Sequence, residues 1–452
     1  MIPVSVKELL NIVDGQSIAI TDHNLFIDQI SIDSRQIISG CLFVALVGDK
    51  FDGHDFAKQA ILSGASLVLV NHQVGEDIPQ IIVKDTLAAL GKLASWVRNQ
   101  STAKFVALTG SSGKTSVKEM TAAILLQCGN TLFTKGNFNN DIGVPLTLFR
   151  LTSENQFAVI ELGANHIGEI EYTTQIVKPQ SALINNISEA HLEGFGSLDG
   201  VAKAKSEIFL GLPENGTAII NMDCYRKDWL SRLSGKKIVM FSLDNFDADF
   251  YAKAISQDVI TQFILHTPNG EISISLSLLG LHNVSNAVAA SALAISVGAK
   301  LEQIKEGLQS VQPVKGRLYP IKLNDKQLIL DDSYNANIGS MTAAIHVLAQ
   351  QKGYRVLVAG DMAELGDDSA KLHQRIGEEA KSSGLDCVIT VGKNSQLISQ
   401  YSRVGHHFEN KQQATTFLRQ ILNEHPIATI LIKGSRSSKM EEIIHNLNNY
   451  QD

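Results

Sequence analysis

The chain has 452 residues, 44% of them apolar and 19% charged, with a formal net charge of −7. That length exceeds what one hydrophobic core organises and predicts roughly two to four domains, while a mild acidity without long acidic runs argues against a protein that wraps duplex nucleic acid, which carries a basic footprint. No run approaches the about 18 apolar residues of a membrane span, the N-terminus lacks the pattern of a signal peptide, and Cys41, Cys128, Cys224 and Cys387 show neither zinc nor disulfide spacing, so a cytoplasmic, reducing setting is expected.

In chain order, residues 1–82 predict a small α/β domain. Its strands are expected at 29–33, 41–47, 66–70 and 80–83, its helices at 5–13 and 54–63, with turns at Gly40, Gly48 and Gly53. Residues 83–313 begin with a helix at 86–101 and then alternate β and α. Strands are expected at 104–109, 156–161, 181–185, 217–221 and 237–241, and helices at 115–128, 199–211 and 282–297, which makes a predominantly parallel sheet covered on both faces. Residues 250–279 alternate around a Pro268-Asn-Gly turn and predict an antiparallel excursion. From about 314 to 452 a third βα series follows, with strands at 327–331, 355–359, 386–391 and 428–432.

The most informative stretch is Phe105-Val-Ala-Leu-Thr-Gly-Ser-Ser-Gly-Lys-Thr-Ser116. An apolar strand enters a Gly-rich turn and leaves in a helix, so the backbone N–H groups of Gly110, Ser111, Ser112 and Gly113 and the helix N-terminus face one point, as an anion requires. Lys114 adds a point charge, and the hydroxyls of Thr115 and Ser116 open the helix, Thr115 suited to Mg²⁺. Leu108 stands where the commonest phosphate loops begin with Gly, so this is a shorter loop. Val117, Met120, Ile124 and Leu125 share one face, which packs the helix under a sheet.

Glu161 and His191 both follow apolar strands, at the sheet end where α/β proteins bind ligands. Glu161 reads as a Mg²⁺ ligand or as a solvated strand-end carboxylate, His191 as a cleft residue or a structural hydrogen-bonder. Lys205 has Val201, Ala202, Ile208 and Phe209 at helical spacing, which places it on a buried face where an ammonium is costly unless paired or modified; the alternative is a snorkelling side chain. The loop with Asn137, Asn139 and Asn140 offers many donors and acceptors for a polar substrate, or simply caps turns. Asn283 and Asn286 open an Ala-rich helix, as caps or as contacts to a base. Asp331 and Asn335 follow a strand of the third series, with Asp331 suited to ribose hydroxyls. Arg317, at the junction, can reach a transferring phosphate.

In this order, the motifs resemble the ATP-dependent amide ligases of peptidoglycan synthesis, the Mur ligases. The resemblance rests on Asp33-Ser-Arg35, Asp52-Gly-His-Asp-Phe56, the phosphate loop, Gly136-Asn-Phe-Asn-Asn-Asp-Ile-Gly-Val-Pro145, Glu161-Leu-Gly-Ala-Asn-His166, Ala190-His-Leu-Glu-Gly-Phe-Gly-Ser197, Asp331-Asp-Ser-Tyr-Asn-Ala-Asn337, Gly360-Asp-Met-Ala-Glu-Leu-Gly366 and Lys433-Gly-Ser-Arg436.

The resemblance implies a three-domain α/β architecture: a small N-terminal domain binding a UDP substrate, a central P-loop ATPase domain with a parallel sheet, and a C-terminal Rossmann-like domain that closes on ATP and the incoming amine. It implies ATP and Mg²⁺, with UDP-MurNAc-tripeptide and D-Ala-D-Ala as substrates joined through an acyl phosphate, in a monomer. Lys114 and Thr115 then hold phosphates and Mg²⁺; Glu161 and His191 ligate the metal; Lys205 matches a lysine that is N-carbamoylated. Asn283, Asn286, Arg317 and Asp331 match nucleotide contacts, Ser34 and Arg35 uridine-nucleotide contacts, and Asn137, Asn139, Asn140 and Asn335 substrate contacts. Ile338 replaces a Pro found in many relatives. Folylpolyglutamate synthase shares the loop, but the first-domain motifs argue against it. A nucleotide-dependent switch would bind ATP without substrate-dependent turnover.

Overall fold

A computed structural model describes residues 1–48, 50–257 and 260–448; residues 258–259 of the expected antiparallel excursion and residues 449–452 of the third series lie outside the described residues. The apolar runs form a five-stranded sheet near the N-terminus, a six-stranded sheet in the middle with a three-stranded sheet beside it, and a second six-stranded sheet towards the C-terminus.

In the first sheet, Ile30–Ser31, Leu42–Val44, Leu67–Val70 and Gln80–Ile82 run parallel and Gln16–Ile18 adds an antiparallel edge. Gln16–Ile18 was not expected: three residues with an exposed-leaning pattern carry no alternation to read, and the neighbouring backbone selects them. The helix expected at 54–63 divides into a tight turn at Gly53–Phe56 and an α-helix at Ala57–Leu62. The helix Thr86–Gln100 is shared: Leu90, Leu93 and Val97 join Leu9, Leu42 and Leu69 to Phe105 and Ile160 in one apolar cluster.

The central sheet is fully parallel, in the order Lys237–Phe241, Thr217–Asn221, Ser181–Ile184, Lys104–Thr109, Phe157–Glu161, Thr131–Phe133. The chain adds Thr131–Phe133 and Phe157–Glu161 on one side of Lys104–Thr109 and then Ser181–Ile184, Thr217–Asn221 and Lys237–Phe241 on the other, which makes its C-terminal end a topological switch point. Leu108 pairs with Glu161 and Thr109 with Ile184, so three strands end at one level. The helix Lys114–Leu126 buries Val117, Met120, Ile124 and Leu125 against the Ala-rich helix Leu281–Ser296 and the helix Leu301–Ser310. Tyr251–Gln257, Thr261–Thr267 and Gly270–Leu276 form the antiparallel excursion.

Where one helix was expected over 199–211, the α-helix ends at Ser206 and tightens into a 3₁₀ turn at Glu207–Gly211. Glu207 explains the change, since its carboxylate accepts from Gly168 N at 2.9 Å and from Glu171 N at 3.2 Å. An anion is thereby placed at the start of the helix Glu169–Val177.

The last sheet runs Tyr319–Lys322, Gln327–Asp332, Ala428–Lys433, Tyr354–Gly360, Cys387–Val391, Gly405–Phe408, with only the first pairing antiparallel. The two edge strands were not expected. Gly405-His-His-Phe408 and Tyr319-Pro-Ile-Lys322 lack the apolar run that marks the central strands. The four cysteines carry free thiols, with Cys41 and Cys387 buried. No described helix is long and apolar enough to cross a membrane.

Candidate active site

The phosphate loop leaves the central strand at Thr109 and is held open by the exit of the neighbouring strand. Ser112 N donates to Asn186 Oδ1 at 2.8 Å, Asn185 Nδ2 donates to Ser112 O at 3.1 Å, and Ser111 Oγ donates to Ser188 O at 3.0 Å. Gly113 takes φ of 74°, and a Cβ there would lie 2.6 Å from Asn286 Oδ1 and 2.7 Å from Asn185 Nδ2, so the loop admits only glycine at its last turn. Asn286 and Asn283 sit inside the helix Leu281–Ser296 rather than capping it; Asn286 Oδ1 accepts from Asn185 Nδ2 at 3.0 Å, and Asn283 Nδ2 donates to Leu279 O at 2.8 Å.

Lys114 curls back so that Nζ donates to Gly110 O at 2.8 Å. Burial lowers its pKa, Glu161 opposes that shift and Arg317 adds to it. Thr115 Oγ1 donates to Glu161 Oε2 at 3.2 Å, and Asn139 Nδ2 donates to the other oxygen at 2.7 Å. The strand-end carboxylate is therefore 2% exposed and aimed at the loop rather than at solvent.

Lys205 is 1% exposed, with Val201, Ala202, Ile208 and Phe209 all fully buried around it. Its Nζ has no hydrogen-bond partner among the described residues and lies 5.4 Å from the centre of the Phe195 ring. Burial, then the positive charge of Lys114, drives its pKa well below the ordinary lysine value, against the pull of Glu169, Glu207 and Glu161. This is a buried, unpartnered amine whose proton is disfavoured by burial and by the neighbouring Lys114. His191 takes a left-handed backbone with φ of 55°, and its Nδ1 pairs with the Glu364 carboxylate. Burial and Lys114 lower the imidazole pKa, Glu364 raises it, and Lys205 lowers it further.

The C-terminal sheet reaches the same place. Arg317 Nη2 donates to Thr115 Oγ1 at 3.4 Å while its guanidinium stacks 4.5 Å from the Tyr334 ring centre, and Asn337 Nδ2 donates to Ser111 O at 3.2 Å. Beneath them Lys433 Nζ pairs with Asp332 Oδ2 at 2.6 Å and donates to Asn335 O at 2.9 Å. Asp331 is buried, and its Oδ1 accepts from Ser333 Oγ at 2.5 Å. Asn335 is exposed, with its side chain accepting from Ala336 N at 2.9 Å.

Other expected residues lie apart from this cluster. Arg35 forks onto Asp33 at 2.9 and 2.8 Å within its own turn, which holds the Asp33 carboxyl down at about 2; Ser34 is half-buried beside it. Asn140 Oδ1 accepts from Gly143 N at 2.9 Å, and Asn137 is exposed.

The residues fit Mg²⁺ in one specific way. Among the described residues no three His, Cys, Asp or Glu side chains gather as a metal cage. Mg²⁺, however, is commonly held by one or two carboxylates together with substrate phosphates, and Glu161, the Thr115 hydroxyl and the loop provide that arrangement.

Three family models match in succession: "Mur ligase family, catalytic domain" over residues 26–98, "Mur ligase middle domain" over 108–294 and "Mur ligase, glutamate ligase domain" over 316–436. UDP-N-acetylmuramoyl-tripeptide–D-alanyl-D-alanine ligase of Escherichia coli is 54% identical over 451 residues, covering 99% of both chains. The chain belongs to the Mur ligase family. The enzyme of the same name from Bacillus subtilis is 33% identical over 99% of each chain. A MurF crystal structure from Acinetobacter baumannii superposes with a TM-score of 0.94 at 38% identity, over 99% of both chains. MurF from Thermotoga maritima in complex with ADP superposes with a TM-score of 0.84 at 25% identity, over 93% of this chain and 97% of that one.

Within this Mur ligase, several cleft residues had been given no role of their own: Asn185, Asn186 and Ser188, and also Asp332, Asn337, Glu364 and Lys433, which stood only inside longer motifs. Asn185 and Asn186 carried a usable signal, since two amides directly follow the strand beside the phosphate loop. Glu364 stood inside the Gly360–Gly366 motif, but that motif does not show that it meets His191 across the fold.

Proposed function

We propose that the chain is the ATP-dependent ligase that joins D-alanyl-D-alanine to UDP-N-acetylmuramoyl-tripeptide, an amide-bond-forming step of peptidoglycan precursor synthesis. The observation that carries this reading is the end-to-end identity with the E. coli enzyme of that name, 54% over 99% of both chains. The cleft supports it: Lys114 and Arg317 meet at Thr115 and Glu161 beside the phosphate loop, the donors and cations that phosphoryl transfer to a carboxylate requires. Residues 1–82 are assigned to the UDP end of the substrate, 83–313 to ATP, and 314–452 to closure over ATP and the dipeptide.

The tripeptide carboxylate attacks the γ-phosphorus of ATP, the bond to ADP breaks, and an acyl phosphate results. The dipeptide amine then adds to the acyl carbon, loses a proton and expels phosphate. Lys114 and Arg317 stabilise charge on the transferring group, and the backbone N–H groups of residues 110–113 orient the phosphates. Mg²⁺, when bound, supplies further neutralisation of phosphate charge, and Glu161, Thr115 and His191 are the residues assigned to hold it. Asn283, Asn286 and Asp331 are assigned to the nucleoside, and Ser34, Arg35, Asn137, Asn139, Asn140 and Asn335 to the substrates. Contacts between the third unit and the loop exclude the water that would hydrolyse an acyl phosphate.

Lys205 is assigned as a carbamate. A neutral buried amine is the form that adds CO₂: an N–C bond forms, one proton leaves, and the uncharged side chain becomes an anion facing Lys114. Electron density at Lys205 in crystals grown with bicarbonate tests this. The activity itself is tested by ADP release from ATP. Turnover requiring both UDP-MurNAc-tripeptide and D-Ala-D-Ala supports the reading; turnover with a folate and glutamate, or nucleotide binding without substrate-dependent turnover, overturns it.

A further inference from the structure

His191 and Glu364 come from different parts of the chain and meet at the mouth of the cleft. Glu364 lies in the segment Gly360–Gly366, whose start is fixed on both sides. Asp361 Oδ1 accepts from Ser395 N at 2.7 Å and Asn394 N at 3.1 Å, Asp361 O accepts from Ser435 N at 2.9 Å, and Met362 N donates to His373 Nε2 at 3.0 Å. Glu364 itself has φ of 62° and His191 φ of 55°. Both backbones sit in the left-handed region that a residue with a side chain occupies only when its surroundings impose it.

The contact is doubled by the main chain, since Glu193 N donates to Glu364 O at 3.3 Å. The other side of the His191 ring meets the Phe195 ring edge-on at 6.3 Å, and Phe195 in turn covers Lys205. With Nδ1 in ion-pair contact with the Glu364 carboxylate, though not in hydrogen-bond geometry with it, the imidazole has Nε2 left as its free ligating atom. A carboxylate on the distal nitrogen is the usual device that fixes the tautomer and plane of a metal-binding histidine.

We propose that Glu364 is a positioning residue of this ligase: by holding His191 Nδ1 it sets Nε2 for the divalent cation, so that the cation site is complete only when the third unit is docked on the central sheet. The proposal rests on the ligase reading of the cleft and on the metal role assigned there to His191. It goes further in making cation affinity depend on a residue of the C-terminal unit.

The test compares the full-length wild type with Glu364→Gln, Glu364→Ala and Arg375→Ala. Arg375 Nη1 bridges to Glu189 Oε2 at 3.1 Å across the same interface but does not touch His191, so it reports on docking alone. Mn²⁺ binding in the presence of ADP is read by electron paramagnetic resonance, and steady-state kinetics are read as a function of Mg²⁺.

Glu364→Ala is expected to weaken Mn²⁺ binding about 10- to 100-fold and to raise half-saturating Mg²⁺ in parallel, with kcat largely restored at high Mg²⁺. Glu364→Gln, which keeps an oxygen beside Nδ1 but loses the carboxylate charge, is expected to lie between it and wild type. Mn²⁺ affinity within about twofold of wild type in folded Glu364→Ala overturns the proposal, and so does wild-type Mn²⁺ affinity in an Arg375→Ala protein whose third unit is no longer docked. A wild-type protein that binds Mn²⁺ and ADP but fails to join the two substrates sinks the ligase reading instead and leaves the metal measurement standing.

Discussion

Arg317 Nη2 donates to Thr115 Oγ1 at 3.4 Å, and the same hydroxyl donates to Glu161 Oε2 at 3.2 Å. One small side chain thus links a guanidinium next to the C-terminal sheet to a carboxylate of the central sheet. Arg317 also lies over Tyr334, which fixes the plane of its fork. Arg317→Ala should therefore lower kcat by about 10²–10³, the scale of losing one preorganised donor to developing charge. The KM for the UDP substrate should change little. Arg317→Lys should recover only a small part, because an ammonium neither stacks on Tyr334 nor presents two donors in one plane. Initial-rate kinetics on the three proteins decide this, and a Lys variant equal to wild type would refute the assigned role.

Lys205 sets function against stability. In the uncarbamoylated protein its folded-state pKa lies well below the ordinary 10.5, so between the two values the unfolded chain holds a proton at this site that the folded chain does not. Stability then rises with pH across that window, and below it the buried lysine is a net cost. Lys205→Met removes the titrating group while keeping the volume. It should raise the Tm at pH 7 by a few degrees, flatten the increase of stability with pH, and abolish ligation. Thermal unfolding at several pH values, with ADP release alongside, checks both halves; a lower Tm in the Met variant would show that the amine is paired in solution.

The parts of the site that could be read directly are those written in contiguous sequence. The strand, turn and helix of 105–116 announce a phosphate loop, and the apolar neighbours of Lys205 at helical spacing announce its burial. The central strands were legible because they are continuous apolar runs buried on both faces. Thr131–Phe133 and Gly405–Phe408 were not, because edge strands of three or four residues are chosen by the backbone beside them. Asn185 illustrates the same limit at the site. Its place after the strand beside the loop is readable, but its amide spans Ser112 O and Asn286 Oδ1, partners that strand order sets and no local pattern encodes.

Gly113 should be the least replaceable residue of the loop. Alanine there would bring Cβ to 2.6 Å from Asn286 Oδ1 and 2.7 Å from Asn185 Nδ2, at a φ of 74°. The left-handed backbone alone costs about 1–2 kcal/mol, and relieving the contacts moves the amides that hold Ser112. Gly136 provides the comparison, since its φ is 54° but nothing lies within 4 Å of its Cβ position. Gly113→Ala should lose ADP affinity by more than tenfold, whereas Gly136→Ala should show only the conformational cost. Calorimetric titration with ADP and denaturant unfolding of both variants would separate the terms, and equal ADP affinities would contradict the crowding argument.

His282 should control the acid limit of the fold. It opens the helix that carries Asn283 and Asn286, and burial pushes its pKa down to about 4, with Asp332 opposing and Lys433 reinforcing the shift. The unfolded histidine titrates at its ordinary 6.5. As the pH falls from 6.5 towards 4, the unfolded chain gains a proton that the folded chain resists, so stability drops by at most about 1.4 kcal/mol per pH unit; below about 4 both states are protonated and this contribution levels off. His282→Gln keeps a polar side chain without the titration. Its Tm should fall less than that of wild type between pH 7 and pH 4.5, while the two proteins keep a constant offset above pH 7. Parallel slopes through the acid range would place the acid sensitivity elsewhere.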